Sequence, residues 1–349
     1  MTRPVPAPRL RATGRSLSRP PAPAPHGPSR AAATPGPHDG GSSESRRTAT
    51  ATLRAARARG ALRAAVSQGI HGLSRCTPEG RWTGLDTDIA RAVAAAALGD
   101  PEAVDWRPVT AGDRLTALEA GHADLTTCNL TWTMGREATR RVLFAGVTCY
   151  DGEGFLVPAD SEVTGPEDLA GRRLAVHKGC TTTFNLEAWY GPRGLEVEPV
   201  PFDDPADALA AYADGDCAAY VLDRTALAGA RSRLPRPRDH HILPVSISRE
   251  PMAAAVHETD PQWFRLVRWV LQLLLAAEYE SPGAAARHAG PHGPAVGLDE
   301  RWADRVLSAV GTYADVYERN LGAASGLDVP RGLNHLWTSG GLHYPVPLH

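Results

Sequence analysis

Residues 123–137, ADLTTCNLTWTMGRE, decide how this chain folds. The first four read as a strand that follows a helix-like run ending at Ala120-Gly121-His122. The rest is a loop of short polar side chains, Thr126, Thr127, Asn129, Thr131 and Thr133, leading to one cation, Arg136. Such a loop suits a small carboxylate ligand, because a guanidinium can hold both carboxylate oxygens at once. The plain alternative is an ordinary polar loop with Arg136 in a surface ion pair. The surrounding sequence chooses between the two.

Upstream, residues 53–61 read as a short helix closed by Gly60, and residues 62–66 as a strand. Leu85, Ile89, Val93 and Ala97 recur every four residues, the stripe of a helix buried on one face. Residues 104–108 read as a strand and 113–120 as a helix with Leu115 and Leu118 inward. Strand, helix, strand, helix, strand predicts an α/β unit with a parallel sheet. Ligands of such sheets sit at the carboxyl ends of the strands, where the loops after Val66 and Leu125 lie.

Downstream, residues 155–158 read as a strand leaving this unit, and Thr164-Gly-Pro-Glu167 carries a capping box that predicts a helix start. The order then repeats: strand 173–176, helix 181–189, strand 197–199, helix 205–213 and strand 218–222, ending at Asp223. In residues 262–277, Trp263, Leu266, Val267, Val270, Leu271 and Leu274 form one helical stripe. Arg265 and Arg268 make that run too short and too charged to span a bilayer. The expectation is two lobes: residues 51–157 with 250–349, and residues 158–249.

The net charge is −2, with 37 Lys+Arg against 39 Asp+Glu, which points away from nucleic acid or an anionic membrane as partner. Lys178 is the only lysine. The 5 cysteines are scattered without a CxxC, so neither a disulfide framework nor a zinc site follows, and no metal or cofactor is expected. Residues 1–50 are rich in Pro, Arg, Ser, Ala and Gly and carry no acid before Asp39, so a disordered tail is expected. That tail lacks the apolar core of a secretory signal peptide, and the first cysteine, Cys76, leaves no lipoprotein anchor in view. At face value this leaves a cytoplasmic location open, against a misassigned start or a replaced leader.

Two such lobes enclose a cleft, a preferred ligand site. In the loop His177-Lys178-Gly179-Cys180-Thr181, Gly179 permits close backbone approach, and the helix that follows offers free N–H groups to an anion. One lobe thus offers Arg136 and Thr131, the other Thr181 and Asp223. A cation facing an anion matches a zwitterion, and an L-α-amino acid would hold the lobes together.

The sequence resembles the solute-binding proteins of amino-acid ABC transporters, family 3, in the general L-amino-acid-binding branch. Carrying this are Trp82-Thr-Gly-Leu-Asp86, Arg114-Leu-Thr-Ala-Leu118, Thr131-Trp-Thr-Met134, Tyr150-Asp-Gly-Glu-Gly-Phe155, Glu318-Arg-Asn320 and Leu336-Trp-Thr-Ser-Gly-Gly-Leu342, in order over residues 50–349. The resemblance implies a two-lobed, hinged, type II periplasmic-binding-protein fold, an extracytoplasmic location and a transporter permease as partner; a monomer is expected. It gives Arg136 the α-carboxylate and Asp223 the α-ammonium, with Asn129, Thr131, Cys180 and Thr181 completing the hydrogen bonds. Specificity would lie with Ser67, Ile70, His71 and Leu73, where no aromatic platform for large cationic side chains is present.

The chain departs from that pattern in several places. Ala175 stands where a cysteine partner for Cys217 is usual, leaving Cys217 unpaired. Lys178 and Cys180 replace threonines, His71 a proline and Cys128 an arginine. These make Lys178, Cys180 and His71 candidate catalytic groups: a desolvated lysine, a thiol at a helix N-terminus and an imidazole near neutrality. The corresponding alternative is a cofactor-independent lyase, dehydratase or isomerase, as with the cyclohexadienyl dehydratase known on this fold; a third is a non-transport amino-acid sensor. The bland reading has Cys180 packing like threonine, Lys178 solvated and His71 lining a loop.

Overall fold

The computed structural model describes residues 50–349; the expected disordered tail falls on residues 1–49, outside the described residues. Thr50, expected at the end of that tail, instead caps the Ala51–Arg59 helix, its Oγ1 accepting from Leu53 N–H at 2.9 Å. Gly60 closes the helix at φ 75°, where glycine carries no Cβ penalty.

In the first lobe, Leu62–Ser67 runs parallel to Val104–Val109 on one side and to Leu125–Thr126 on the other. The Leu85–Leu98 helix is buried along nearly its whole length, because its alanines let it lie close to neighbours on every side. Before it, Gly84 sits at φ 133°, and a Cβ there would fall 2.1 Å from the Leu73 carbonyl oxygen, so only glycine fits. The sheet is not wholly parallel. Glu250–His257 and Val142–Asp151 complete it as antiparallel strands, because they are the connections that run between the lobes.

The second lobe's sheet runs His240–Ile242, Glu153–Pro158, Ala219–Asp223, Arg173–His177, Glu198–Phe202. Its last three strands are parallel, and Glu153–Pro158 joins them antiparallel, with Glu153 opposite Asp223. The second sheet therefore starts at Glu153, ahead of the boundary expected after residue 157. The crossing is tight: a Cβ on Gly152 would lie 1.9 Å from Ser246 Oγ. The start at 164–167 yields only a short 3-10 turn, Pro166–Leu169. Asp168 takes the N–H groups of Thr164 and Gly165, and Gly171 at φ 73° turns the chain away.

The reading of the sequence names no secondary structure after residue 277, yet helices continue. Pro261–Glu280 is followed by Pro282–Ala289, Trp302–Val310 and Tyr313–Asn320. They cover the first lobe: Trp263 Nε1 donates to Asp124 O at 2.8 Å, Arg305 Nε to Ala95 O at 3.3 Å, and Arg319 pairs with Asp88 at 2.7 Å. Among the described residues no helix is long and apolar enough to cross a membrane. All 5 cysteines, Cys217 included, are free.

Candidate functional site

The first lobe's share of the site is built on the loop after Leu125–Thr126. Asn129 adopts φ 34°, a left-handed conformation uncommon for a residue with a side chain. Asp86 holds it there, accepting the Asn129 N–H at 3.0 Å, while Thr127 Oγ1 donates to the Asp86 carbonyl at 2.8 Å. Thr131 then bridges to Met252 on a crossing strand. Thr133 caps the Met134–Thr139 helix by accepting from Arg136 N–H at 3.1 Å. That cap turns the Arg136 side chain back so that Nη1 donates to Thr131 O at 2.7 Å. Burial, and then the charge of nearby Arg114, lower the Arg136 pKa to about 10, which leaves it a cation at neutral pH.

The second lobe faces this loop with two strand ends. After Arg173–His177 the chain turns at Gly179, φ 74°, where a Cβ would lie 2.6 Å from Gly112 Cα of the other lobe. Asp223 ends Ala219–Asp223, is 6% exposed, and accepts one hydrogen bond, from Asn129 Nδ2 at 3.2 Å across the cleft. Burial, then the carboxyls of Glu153, Asp151 and Glu250, push the Asp223 pKa well above the usual carboxylate range. An ammonium group placed beside it would pull that value back, so the site gains most from a cation brought by a ligand.

Arg136, Asp223, Asn129, Thr131, Cys180 and Thr181 all lie along the facing ends of the two lobes. Ile70 is buried in the loop after the first strand. His71, beside it, is at the lip: its Nδ1 and Ser232 Oγ are 2.9 Å apart across the lobes. Its pKa is lowered by burial and by Arg75 and Arg233. Lys178 pairs with Asp203 at 2.5 Å, both side chains exposed. Cys180 does not gain the depressed pKa expected at a helix N-terminus. Burial pushes it up to about 11, against the opposing charge of Arg114. Thr181 Oγ1 is committed to Glu250 Oε2 at 3.1 Å. A cleft of ≈ 680 Å³ opens beside this constellation, lined by Thr131, Thr181, Phe184, Asn185 and Glu250 among others, but not by Arg136 or Asp223.

The sequence reading missed two groups of residues. Arg114 is a second guanidinium, 2% exposed, at the start of the Arg114–Glu119 helix. Its Nη1 donates to Cys128 O and Asn129 O at 2.9 and 3.0 Å, and its Nη2 lies 3.9 Å from Cys180 Sγ across the cleft. Its place beside the inward Leu115 and one turn from Leu118 was the available signal. The second group is the hinge acids. Glu153 accepts from Thr182 Oγ1 at 2.8 Å and Asn185 Nδ2 at 2.9 Å; Glu250 accepts from Asn185 Nδ2 and Ser248 Oγ, both at 2.7 Å. An acid two residues ahead of the apolar run Phe155-Leu156-Val157 was the signal for Glu153.

Comparison with known proteins gives one consistent result. The profile of the family described as bacterial extracellular solute-binding proteins, family 3, matches residues 62–281. The chain is 36% identical over 315 residues to the general L-amino acid-binding periplasmic protein AapJ of Rhizobium johnstonii, covering 85% of this chain and 92% of that protein. It is 35% identical over 314 residues to the glutamate/glutamine/aspartate/asparagine-binding protein BztA of Rhodobacter capsulatus, covering 85% and 93%. Among solved structures, an ABC transporter/periplasmic binding protein from Brucella ovis with glutathione bound superposes with a TM-score of 0.83 at 36% identity, covering 85% of this chain and 99% of that one.

Proposed function

Since the chain belongs to the bacterial extracellular solute-binding proteins, family 3, we propose that it binds an L-α-amino acid between its lobes as the solute-binding component of an amino-acid ABC transporter. What supports this reading is a cation on one lobe, Arg136, near enough to the Asp223 carboxylate of the other for its charge to be felt, with Asn129 reaching across to Asp223. Arg136 would take the α-carboxylate in its fork, and Asp223 the α-ammonium. Each end of the zwitterion then touches a different lobe, so the ligand favours the closed arrangement by the difference in contacts. The partner in this reading is the transporter permease, met by a monomer.

Two of the three candidate catalytic groups are poorly placed for turnover: Lys178 is in an exposed ion pair with Asp203, and burial holds the Cys180 thiol protonated at neutral pH. The deciding experiment is calorimetric titration with a panel of L-amino acids, with mass spectrometry of the bound and free material. Binding without conversion is the expected result. No binding of any L-amino acid, or the appearance of product, would overturn it.

A further inference from the structure

Of the residues singled out in the sequence, His71 is one that the Arg136 and Asp223 clamp leaves without a part. It stands where the two lobes meet at the lip of the cleft. On the first lobe it follows Ile70 in the loop after Leu62–Ser67. On the second lobe it faces the end of the Arg224–Arg231 helix, and the approach is close: a Cβ on Gly229 would fall 2.2 Å from the His71 carbonyl oxygen. A side chain at position 229 would therefore hold the lobes apart. Ser232 caps the same helix. Its hydroxyl donates to Gly229 O at 2.7 Å, which leaves Ser232 Oγ to accept from His71 Nδ1–H at 2.9 Å.

These contacts hold only while the lobes touch, and they gather positive charge. After burial itself, Arg75 of the first lobe and Arg233 of the second both disfavour protonation of the half-buried imidazole. Arg75 Nε is buried with no hydrogen-bond partner, and among the described residues no carboxylate pairs with His71, Arg75 or Arg233. Glu79, in the hairpin beyond Arg75, is engaged by Thr77 and by the charge of Arg81. The carboxyl end of the helix would favour a cation, but Arg231 in its last turn and Arg233 beyond it already answer that end. Behind the loop, the block packed on Gly72 presents Asn320, Leu321 and Leu327, which do not titrate, and Asp86 turns its carboxyl to the Asn129 N–H. Opening the cleft removes Arg233 and part of the burial but leaves Arg75 in place. The open form therefore takes a proton at His71 more readily than the closed form.

We infer that the meeting of His71 with Gly229 and Ser232 is the latch of the closed cleft and makes binding proton-linked: the closed form keeps the imidazole neutral, so acid weakens amino-acid binding by favouring the open form. This rests on the amino-acid-binding reading above. His71 acts through lobe closure, as a positioning residue and not a catalytic one. The sign follows from linkage. A histidine held neutral in the closed form costs affinity as pH falls below its ordinary value of 6.5, and costs nothing well above it.

The test is calorimetry on the whole chain with L-glutamate, L-glutamine and L-leucine, at about pH 7.5 and about pH 5.5. The carboxyl of Asp223 also titrates on binding, so the reading is a difference between two proteins. His71→Gln can still donate to Ser232 but carries no titrating group. Between those two pH values the unaltered protein should lose at least about threefold more affinity than His71→Gln. Identical pH profiles would overturn the inference. Gly229→Ala tests the steric half. Alanine suits a helix better than glycine, so the unfolding temperature of the ligand-free protein should not fall, while affinity should drop at least about tenfold. Unchanged affinity would overturn the latch, and so would a lower unfolding temperature, by assigning Gly229 to the fold. Failure of all three amino acids to bind the unaltered protein would instead count against the amino-acid reading.

Discussion

At the hinge, Glu250 accepts three side-chain hydrogen bonds, from Thr181, Asn185 and Ser248, and Glu153 accepts two, from Thr182 and Asn185. Beside the cleft, Asp223 accepts one, Arg136 donates to the Thr131 carbonyl, and Arg114 donates to two backbone carbonyls and to Cys180 Sγ at 3.9 Å. Both regions bury charge. The hinge answers it internally, with Asn185 giving one N–H to each of two acids, so it needs no visitor. The clamp is under-answered on both sides, and a ligand supplies what is missing. Buried polar groups lacking partners are where a binding protein differs from a merely stable one.

The sharpest way to break this contrast is to remove one half of the clamp. Arg136→Ala should lower amino-acid affinity at least about hundredfold, because the ligand carboxylate is left buried without its partner. Unchanged affinity by calorimetry would count against the clamp. Asp223→Asn should weaken amino acids about tenfold or more while sparing their deaminated acids, which carry no ammonium group. It should also raise the unfolding temperature, since burial and three neighbouring acids disfavour the Asp223 carboxylate. Equal losses for both ligand types would remove Asp223 from that role.

The hinge gives a pH signature instead. Burial holds the Glu153 pKa at about 7, above the 4.5 of an unperturbed glutamate. A raised folded-state value means the folded protein holds the proton more tightly than the unfolded chain. That contribution to stability is complete below pH 4.5 and is lost as pH rises through about 7. Thermal unfolding across that window should show the loss, and Glu153→Gln should flatten it; an identical slope in the variant would place the titration elsewhere. The smallest effect is expected outside both regions. Lys178→Ala removes an exposed ion pair with Asp203 and should change stability by less than about 1 kcal/mol, with ligand affinity unchanged.

Much of the architecture could be read from local pattern. The stripe at Leu85, Ile89, Val93 and Ala97 lies in a helix spanning Leu85–Leu98, and the run expected at 205–213 is the Pro205–Ala213 helix. Periodicity works there because one element's burial is set by its own spacing. It failed at 164–167, where the cap falls one residue later, on Gly165 with Asp168 rather than Thr164 with Glu167, and Gly171 turns the chain away after one short turn. It also failed for Glu153–Pro158, whose apolar run is equally compatible with either sheet.

Arg136 and Asp223 could be singled out because each ends a recognisable strand or loop in a matching α/β unit. Arg114 was passed over, since an arginine at the first turn of a short helix is ordinarily solvated and its place beside Leu115 is a weak signal. Likewise the sequence lists Lys178 and Cys180 as reactive types beside the cleft, and only their surroundings separate them: one is exposed and paired with Asp203, the other is half-buried against Arg114.

The residues alone determined the two α/β units, the order of most of their elements and the candidate cation, Arg136, and anion, Asp223, that each unit offers. Those follow from hydrophobic period and chain punctuation, which act over a few residues. Tertiary structure decided which charges are answered. Whether a carboxylate or guanidinium finds its counterpart depends on distances between segments far apart in the chain, as between Asn129 and Asp223 or Asn185 and Glu250. Coulombic and hydrogen-bond energies change over a few ångströms, a scale that sequence spacing does not carry.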